Sequence, residues 1–334
     1  MDYVNIGVIG CGHMARDLAH RCIKLGRCRI SAVTDPDPEA LAIAASELMA
    51  DPVSDAETLC RRPDVDAVII GSPPAAHLEN VLAAAAAKRP IFCEKPLGMT
   101  VAECDRMIEA CDAAGVLLFV GHVLRLFPLF AYSRTVVSEG HIGEPRAISI
   151  CRVGYGTGFH RGWRSKRELA GGLLLEVNVH ELDYMRVLMG EPVRVYALMD
   201  NVYGKMDFED QCYLLIEFES GRSGCLHSSI SSPIGEYRVH LQGTSGNLVH
   251  GGFGGSLKYQ PADGHVTEVL SADLTGMNPY DRELSSWIDA ITNSAEPLLT
   301  GKDGRMAVAM AECAYRSAAE RRPVDISEIL SGQR

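Results

Sequence analysis

The chain has 334 residues, 47% hydrophobic and 22% charged, with a formal net charge of −11. That length favours two domains over a single core, and the acidic balance argues against a nucleic-acid partner, which needs a basic surface. No apolar run reaches the roughly eighteen residues of a membrane span, and Met1 to Ile6 has neither the basic nor the apolar region of a signal peptide.

The eleven cysteines include no pair at C-x-x-C spacing. Cys22, Cys93, Cys104, Cys111 and Cys313 sit in apolar or helical surroundings, so the thiols are expected to be reduced and buried, in a cytoplasmic protein without a metal centre.

Residues 4–9 read as a buried strand. Gly10-Cys11-Gly12-His13-Met14-Ala15 follows, then a helical pattern to about Leu25. This is the G-x-G-x-x-G/A fingerprint of a dinucleotide site in its required strand–turn–helix setting. Gly10 allows the tight turn, Gly12 lets backbone approach a pyrophosphate, and Ala15 permits close packing. The helix N-terminus offers free N–H groups to phosphate. Cys11 and His13 are expected to meet the cofactor through backbone only. A second strand, 29–34, ends in Asp35, which accepts hydrogen bonds from ribose hydroxyls and repels a 2′-phosphate, favouring NAD over NADP. Asp35 could also cap the helix after it.

A short strand and cap at 51–55 and strands at 65–70, 90–93 and 116–120 alternate with helices. That predicts an α/β parallel sheet over residues 1–121, the NAD-binding domain. Two strand ends carry chemistry: Ser72-Pro73-Pro74 with His77, and Glu94-Lys95-Pro96. Doubly wound sheets bind ligands at such ends. Beyond a helix over 127–139 the pattern turns to strands separated by Gly, Pro, Asn and Asp turns, then returns to helix at 280–292 and 303–321. Residues 122–334 are therefore expected to form a second α/β domain, with the last helices able to pack back on the first. Within it, Glu176, His180 and Asp183 have helical spacing after the pair Gly171-Gly172. A carboxylate beside an imidazole is a usual proton acceptor near neutral pH.

Taken together, Gly10-x-Gly12-x-x-Ala15, Ser72-Pro73-Pro74 with His77, Glu94-Lys95-Pro96, Gly121-His122-x-x-Arg125 and the 171–183 stretch resemble the glucose–fructose oxidoreductase / inositol dehydrogenase / rhizopine catabolism family of NAD(P)-dependent oxidoreductases. The resemblance implies a Rossmann domain followed by a substrate-binding and oligomerisation α/β domain with a large, mostly antiparallel open sheet. That sheet's outer face commonly mediates dimers or tetramers. It also implies transfer of a hydride between nicotinamide and a ring hydroxyl or ketone of a sugar, aminosugar, glycoside or cyclitol.

By the same resemblance, Lys95 and His180 are the catalytic pair, and the Lys-Pro bond is often cis. Gly10, Gly12, His13, Met14, Asp35, Ser72, Pro73, Pro74, His77, Glu94, Lys95, Trp163 and Arg164 are expected at the cofactor. Glu176, Asn178, His160, Arg125 and Tyr237 are expected at the substrate. Glu176 stands where many members carry aspartate and Asn178 where many carry glycine. Arg125 could hold a substrate hydroxyl or an internal carboxylate. The acidic charge of Glu176, Glu181 and Asp183 leaves room for an aminated, cationic substrate. The glycine pair reads as the entry that lets its helix approach the cofactor. Two other functions share these motifs: an NAD-dependent glycosidase working by transient oxidation and elimination, and a non-catalytic NAD-binding regulator.

Overall fold

A computed structural model describes residues 3–332; the first two and last two residues of the expected domain ranges lie outside the described residues. The chain forms two compact units, Met1–His122 with Asn278–Arg305, and Val123–Met277 with Met306–Arg334.

In the first unit, β1 (Val4–Ile9), β2 (Cys28–Thr34), β3 (Asp51–Pro52), β4 (Ala67–Ile70), β5 (Ile91–Cys93) and β6 (Leu118–Val120) make one sheet in the order β3-β2-β1-β4-β5-β6. All its pairings are parallel. β4 is buried at every position, as a strand covered on both faces must be. The helix His13–Lys24 buries Ala15, Leu18, Ala19 and Cys22, an i, i+3, i+4, i+7 stripe. Side-chain caps from Asp37, Asp55 and Thr100 start three later helices. The short strand and cap expected over 51–55 are β3 and the cap residue Asp55. The core is completed by the helix Pro279–Asn293, whose Leu284, Trp287 and Ile288 join it. The Trp287 ring meets Phe92 edge-on at 5.7 Å, and Phe92 stacks on Phe119 at 5.4 Å.

The second unit carries β7 (Pro145–Tyr155), β8 (Pro192–Asp200), β9 (Gln211–Phe218), β10 (Arg222–Ser229), β11 (Ser231–Gly243), β12 (Gly246–His250), β13 (Ser256–Pro261), β14 (Thr267–Leu270) and β15 (Val324–Asp325). Their order is β14-β13-β12-β11-β7-β10-β9-β8-β15. Only β7 and β10 pair in parallel. The helix Val179–Met189 packs on this sheet over Gly224, where a Cβ would come within 2.5 Å of the Met185 Cε. β9 alternates strictly: Cys212, Leu214, Ile216 and Phe218 point into the core, while Tyr213 and Leu215 on the other face are 48% and 60% exposed. Among the described residues no helix is long and apolar enough to cross a membrane.

Candidate active site

The fingerprint turn behaves as its residues require. Gly10 has φ +85°, and a Cβ there would lie 2.5 Å from the Ser72 nitrogen, so both backbone conformation and space select glycine. Gly12 caps the helix with no side-chain bond, and nothing lies within 4 Å of where its Cβ would be. Backbone N–H groups at the head of that helix are therefore open to an anion. Ala15 packs on Gly71, where a Cβ would approach the Ala15 Cβ to 2.7 Å.

Asp35 accepts hydrogen bonds from the Cys11 amide at 2.6 Å and the Asp37 amide at 2.8 Å. The cap of the next helix is Asp37, not Asp35. Asp35 is thus held at the end of β2, across the turn. An open helix N-terminus, a turn with no room for a side chain and an acid at the second strand's end fit a dinucleotide, with the pyrophosphate at Gly10–Met14 and the ribose at Asp35.

His77 is fully buried. Its Nε2 lies 2.9 Å from the Ser72 carbonyl and its Nδ1 lies 2.9 Å from the Pro96 carbonyl. Burial lowers its pKa. His77 thus ties two strand-end turns together. His13 and Met14 are exposed at the head of the first helix. The second turn, Glu94-Lys95-Pro96, leaves β5 through a cis Lys95–Pro96 bond. The Glu94 carboxylate accepts the Lys95 amide at 3.1 Å and lies over Gly121, where a Cβ would meet it at 3.3 Å.

In the second unit the stretch 171–183 does not begin as an α-helix. Leu174–Asn178 is a π-turn, and the α-helix starts at Val179. π-turns of this kind are frequent at functional sites. The space beside Gly172 (φ +102°) is filled by side chains of its own unit: a Cβ there would come within 2.8 Å of the Tyr315 hydroxyl, the Arg167 guanidinium and the Glu209 carboxylate. Close packing within this unit, together with the positive φ, selects glycine at position 172. Glu209 accepts the Leu173 amide at 3.0 Å, and the Tyr315 hydroxyl accepts the Leu174 amide at 2.9 Å. The orphan donors of the helix start are thereby met from 36 and 141 residues away.

Each carboxylate of the stretch has an arginine. Glu176 pairs with Arg164 at 3.0 Å. Arg152 donates to Glu181 at 2.8 Å. Arg125 holds Asp183 in a bidentate pair, with Nε donating at 2.6 Å. The acidity that left room for an aminated substrate is therefore balanced internally, and that expectation loses its basis. Arg125 meets the internal carboxylate of its two alternatives. Glu181, which spacing did not single out as a site residue, is the hub. It is fully buried and also accepts from the Tyr237 hydroxyl at 2.8 Å and the Asn178 amide at 3.1 Å. Burial first, then the Glu181 charge, holds the Tyr237 phenol well above its usual pKa. Asn178 and Tyr237 thus spend a polar atom on Glu181. His160 lies edge-on to Tyr155 at 5.5 Å, and the Arg164 guanidinium sits over the Trp163 ring at 5.1 Å. A cavity of about 380 Å³ in this unit is lined by Arg152, Tyr155, Phe159, Val177, Ile230 and Tyr237, among others.

A six-stranded parallel sheet in this order, with this turn and this acid, is that of a dinucleotide-binding protein. Comparison with known proteins gives the family. Residues 4–122 match the oxidoreductase family's NAD-binding Rossmann fold, and residues 134–326 match its C-terminal alpha/beta domain. The chain is 30% identical to 1,5-anhydro-D-fructose reductase of Ensifer adhaerens, covering 96% of this chain and 98% of that one. It is 28% identical to myo-inositol 2-dehydrogenase of Thermotoga maritima, covering 98% and 100%. Among solved structures it superposes on aldose-aldose oxidoreductase from Caulobacter crescentus, complexed with glycerol, with a TM-score of 0.87 at 26% identity over 97% and 99% of the two chains. The chain belongs to the Gfo/Idh/MocA family of NAD-dependent oxidoreductases.

Proposed function

We propose that the chain moves a hydride between NAD and a ring secondary hydroxyl or ketone of a neutral sugar, glycoside or cyclitol. The observation that carries this reading is the Glu94-Lys95-Pro96 turn at the carboxyl end of β5, beside the fingerprint sheet. When bound, the nicotinamide supplies or accepts the hydride. The chain's own groups handle the proton. The Lys95 ammonium hydrogen-bonds the reacting oxygen and lowers its pKa, and the His180 imidazole takes the hydroxyl proton. Asp35 accepts the ribose hydroxyls and disfavours a 2′-phosphate, so NAD is used in preference to NADP. The aromatic cavity of about 380 Å³ suits a ligand of monosaccharide size. Names of relatives acting on anhydrofructose and inositol support that class.

The exposed face of the large sheet supports self-association. Leu198 and Leu215 are 56% and 60% exposed there, with Tyr213 stacked on His227 at 4.2 Å. We place the protein in the cytoplasm, since all eleven cysteines are free thiols and nine are buried.

The test is a panel of sugars, glycosides and cyclitols with NAD, followed by NADH absorbance. A true substrate gives net NADH, and Lys95→Ala and His180→Ala each lower its turnover by at least about a hundredfold. Near-normal turnover in both variants refutes the roles given. Glycoside cleavage without net NADH means the glycosidase reading, and cofactor binding with no turnover means the regulatory one.

A further inference from the structure

One buried acid in the first unit is left unexplained by cofactor binding or by the reaction. Glu283 lies on the helix Pro279–Asn293, is 1% exposed, and neither of its carboxyl oxygens has a hydrogen-bond partner among the described residues. The helix places it one turn before Trp287, so the two side chains share a face. Trp287 meets the Phe92 ring, and Phe92 stacks on its register partner Phe119. Two residues further along each strand, on the same faces, stand Glu94 and Gly121. The Phe119–Phe92–Trp287 layer is thus followed by a Gly121–Glu94–Glu283 layer. In it the missing side chain of Gly121 makes room for the Glu94 carboxylate. Two carboxyl groups so placed, one with no partner of its own, cannot both ionise cheaply.

Among the described residues, the arginines around this helix pair with other acids. From the helix His13–Lys24, Arg21 and Asp17 bond each other at 2.7 Å, and Arg21 also bonds Asp281 at 2.8 Å and lies over the Tyr280 ring. From β5 come the buried Cys93 thiol, Glu94 itself and Lys95, whose amide Glu94 accepts. Buried His122 follows β6. From its own helix come Tyr280, Asp281 and Asp289, the last paired with Arg27. Burial, and then the charge of Glu94, push the Glu283 carboxyl well above its usual pKa. Tyr280 is raised too, by burial and then by Glu94 and Glu283.

We propose that Glu283 and Glu94 hold one proton between them, Glu283 as the neutral acid and Glu94 as the carboxylate. In this arrangement Glu283 is a positioning residue for the Glu94-Lys95-Pro96 turn. A single charge lets Glu94 stay over Gly121 and keep the Lys95 amide. A second charge would drive the carboxylates apart and displace the turn that carries Lys95. The inference rests on the reading of Lys95 as a reacting residue, and its test is chosen to stand apart from that reading.

The full-length protein is compared with Glu283→Gln, which keeps the shape of a neutral acid. Infrared spectroscopy at about pH 7.5 is expected to show a protonated carboxylic acid band in the parent that Glu283→Gln lacks. A raised folded-state pKa means the folded protein holds a proton the unfolded chain has released. The parent therefore loses stability, relative to the variant, as pH rises above the usual carboxylate range. At neutral pH the variant keeps kcat and the KM for NAD within about twofold, while the alkaline fall of kcat moves to higher pH or disappears. No acid band in the parent, or a stability gap that does not change with pH, overturns the proposal. A tenfold or greater loss of kcat at neutral pH in a folded Glu283→Gln overturns it too, because the carboxylate itself would then be needed. Absence of the band in the parent is decisive whether or not the variant folds. Retained turnover in Lys95→Ala would sink the Lys95 reading while leaving the proton-sharing result untouched.

Discussion

Replacing Asp183 by alanine strips the Arg125 guanidinium of its bidentate carboxylate. Asp183 is fully buried and the Arg125 side chain is 10% exposed. Solvent therefore cannot take over as it would at a surface pair. Removing one partner of a buried ion pair costs about 3–5 kcal/mol, mostly the penalty of the charge left behind. In a unit of this size each kcal/mol is worth about 2–4 °C. The expected fall in Tm is then on the order of 6–20 °C. The assay is thermal and urea unfolding of single and double variants. Asp183→Ala and Arg125→Met should each be costly, and Arg125→Met with Asp183→Leu should recover much of the loss, since no buried charge remains. The outcome that refutes the reasoning is an Asp183→Ala or Arg125→Met variant within about 1 kcal/mol of the parent. If Arg125→Met at the same time raised the substrate KM with an unchanged Tm, Arg125 would be a substrate ligand and not the partner of Asp183.

Gly10→Ala forces a Cβ into the Ser72 backbone at positive φ; NAD affinity measured by fluorescence titration should fall at least about tenfold, with about 1–3 kcal/mol lost from stability. Tyr315→Phe leaves the Leu174 amide, at the start of the π-turn, without its acceptor, and denaturant titration should show a loss of about 1–3 kcal/mol. His250, 3% exposed, has its pKa lowered by burial to about 4. The unfolded chain binds that proton first, so the stability it contributes is complete above about pH 6.5 and is lost as pH falls toward about 4, a change of about 3 kcal/mol. His250→Leu should flatten that part of the urea-midpoint profile; an unchanged slope would count against the burial argument.

The first unit was legible because its signals are local. A glycine turn between a strand and a helix needs only six residues to declare itself, and strands buried on both faces need only apolar runs. The second sheet was legible as alternation, though not as an order. The site was read less completely. Helical spacing put Glu176, His180 and Asp183 in view, yet spacing cannot see the π-turn that shifts phase between them. It cannot see that Glu181 gathers Arg152 from 29 residues back and Tyr237 from 56 residues ahead. Charge counting went astray for the same reason, since the arginines that balance these acids come from other elements. Glu283 shows the limit most clearly: on an amphipathic helix a glutamate reads as solvated, and only the layer packed against it reveals otherwise.

The first unit draws its core from two stretches of chain, and that has a bearing on how the protein could be recombined. A fragment ending at residue 122 would leave Phe92 without Trp287 and open the wall that Leu284 and Ile288 close. Chimaeras with relatives that exchange cofactor or substrate preference therefore cannot be made with one crossover at the end of the fingerprint domain. The donor must bring 278–305 along with 1–122, so that the aromatic stack and its acid pair are inherited whole.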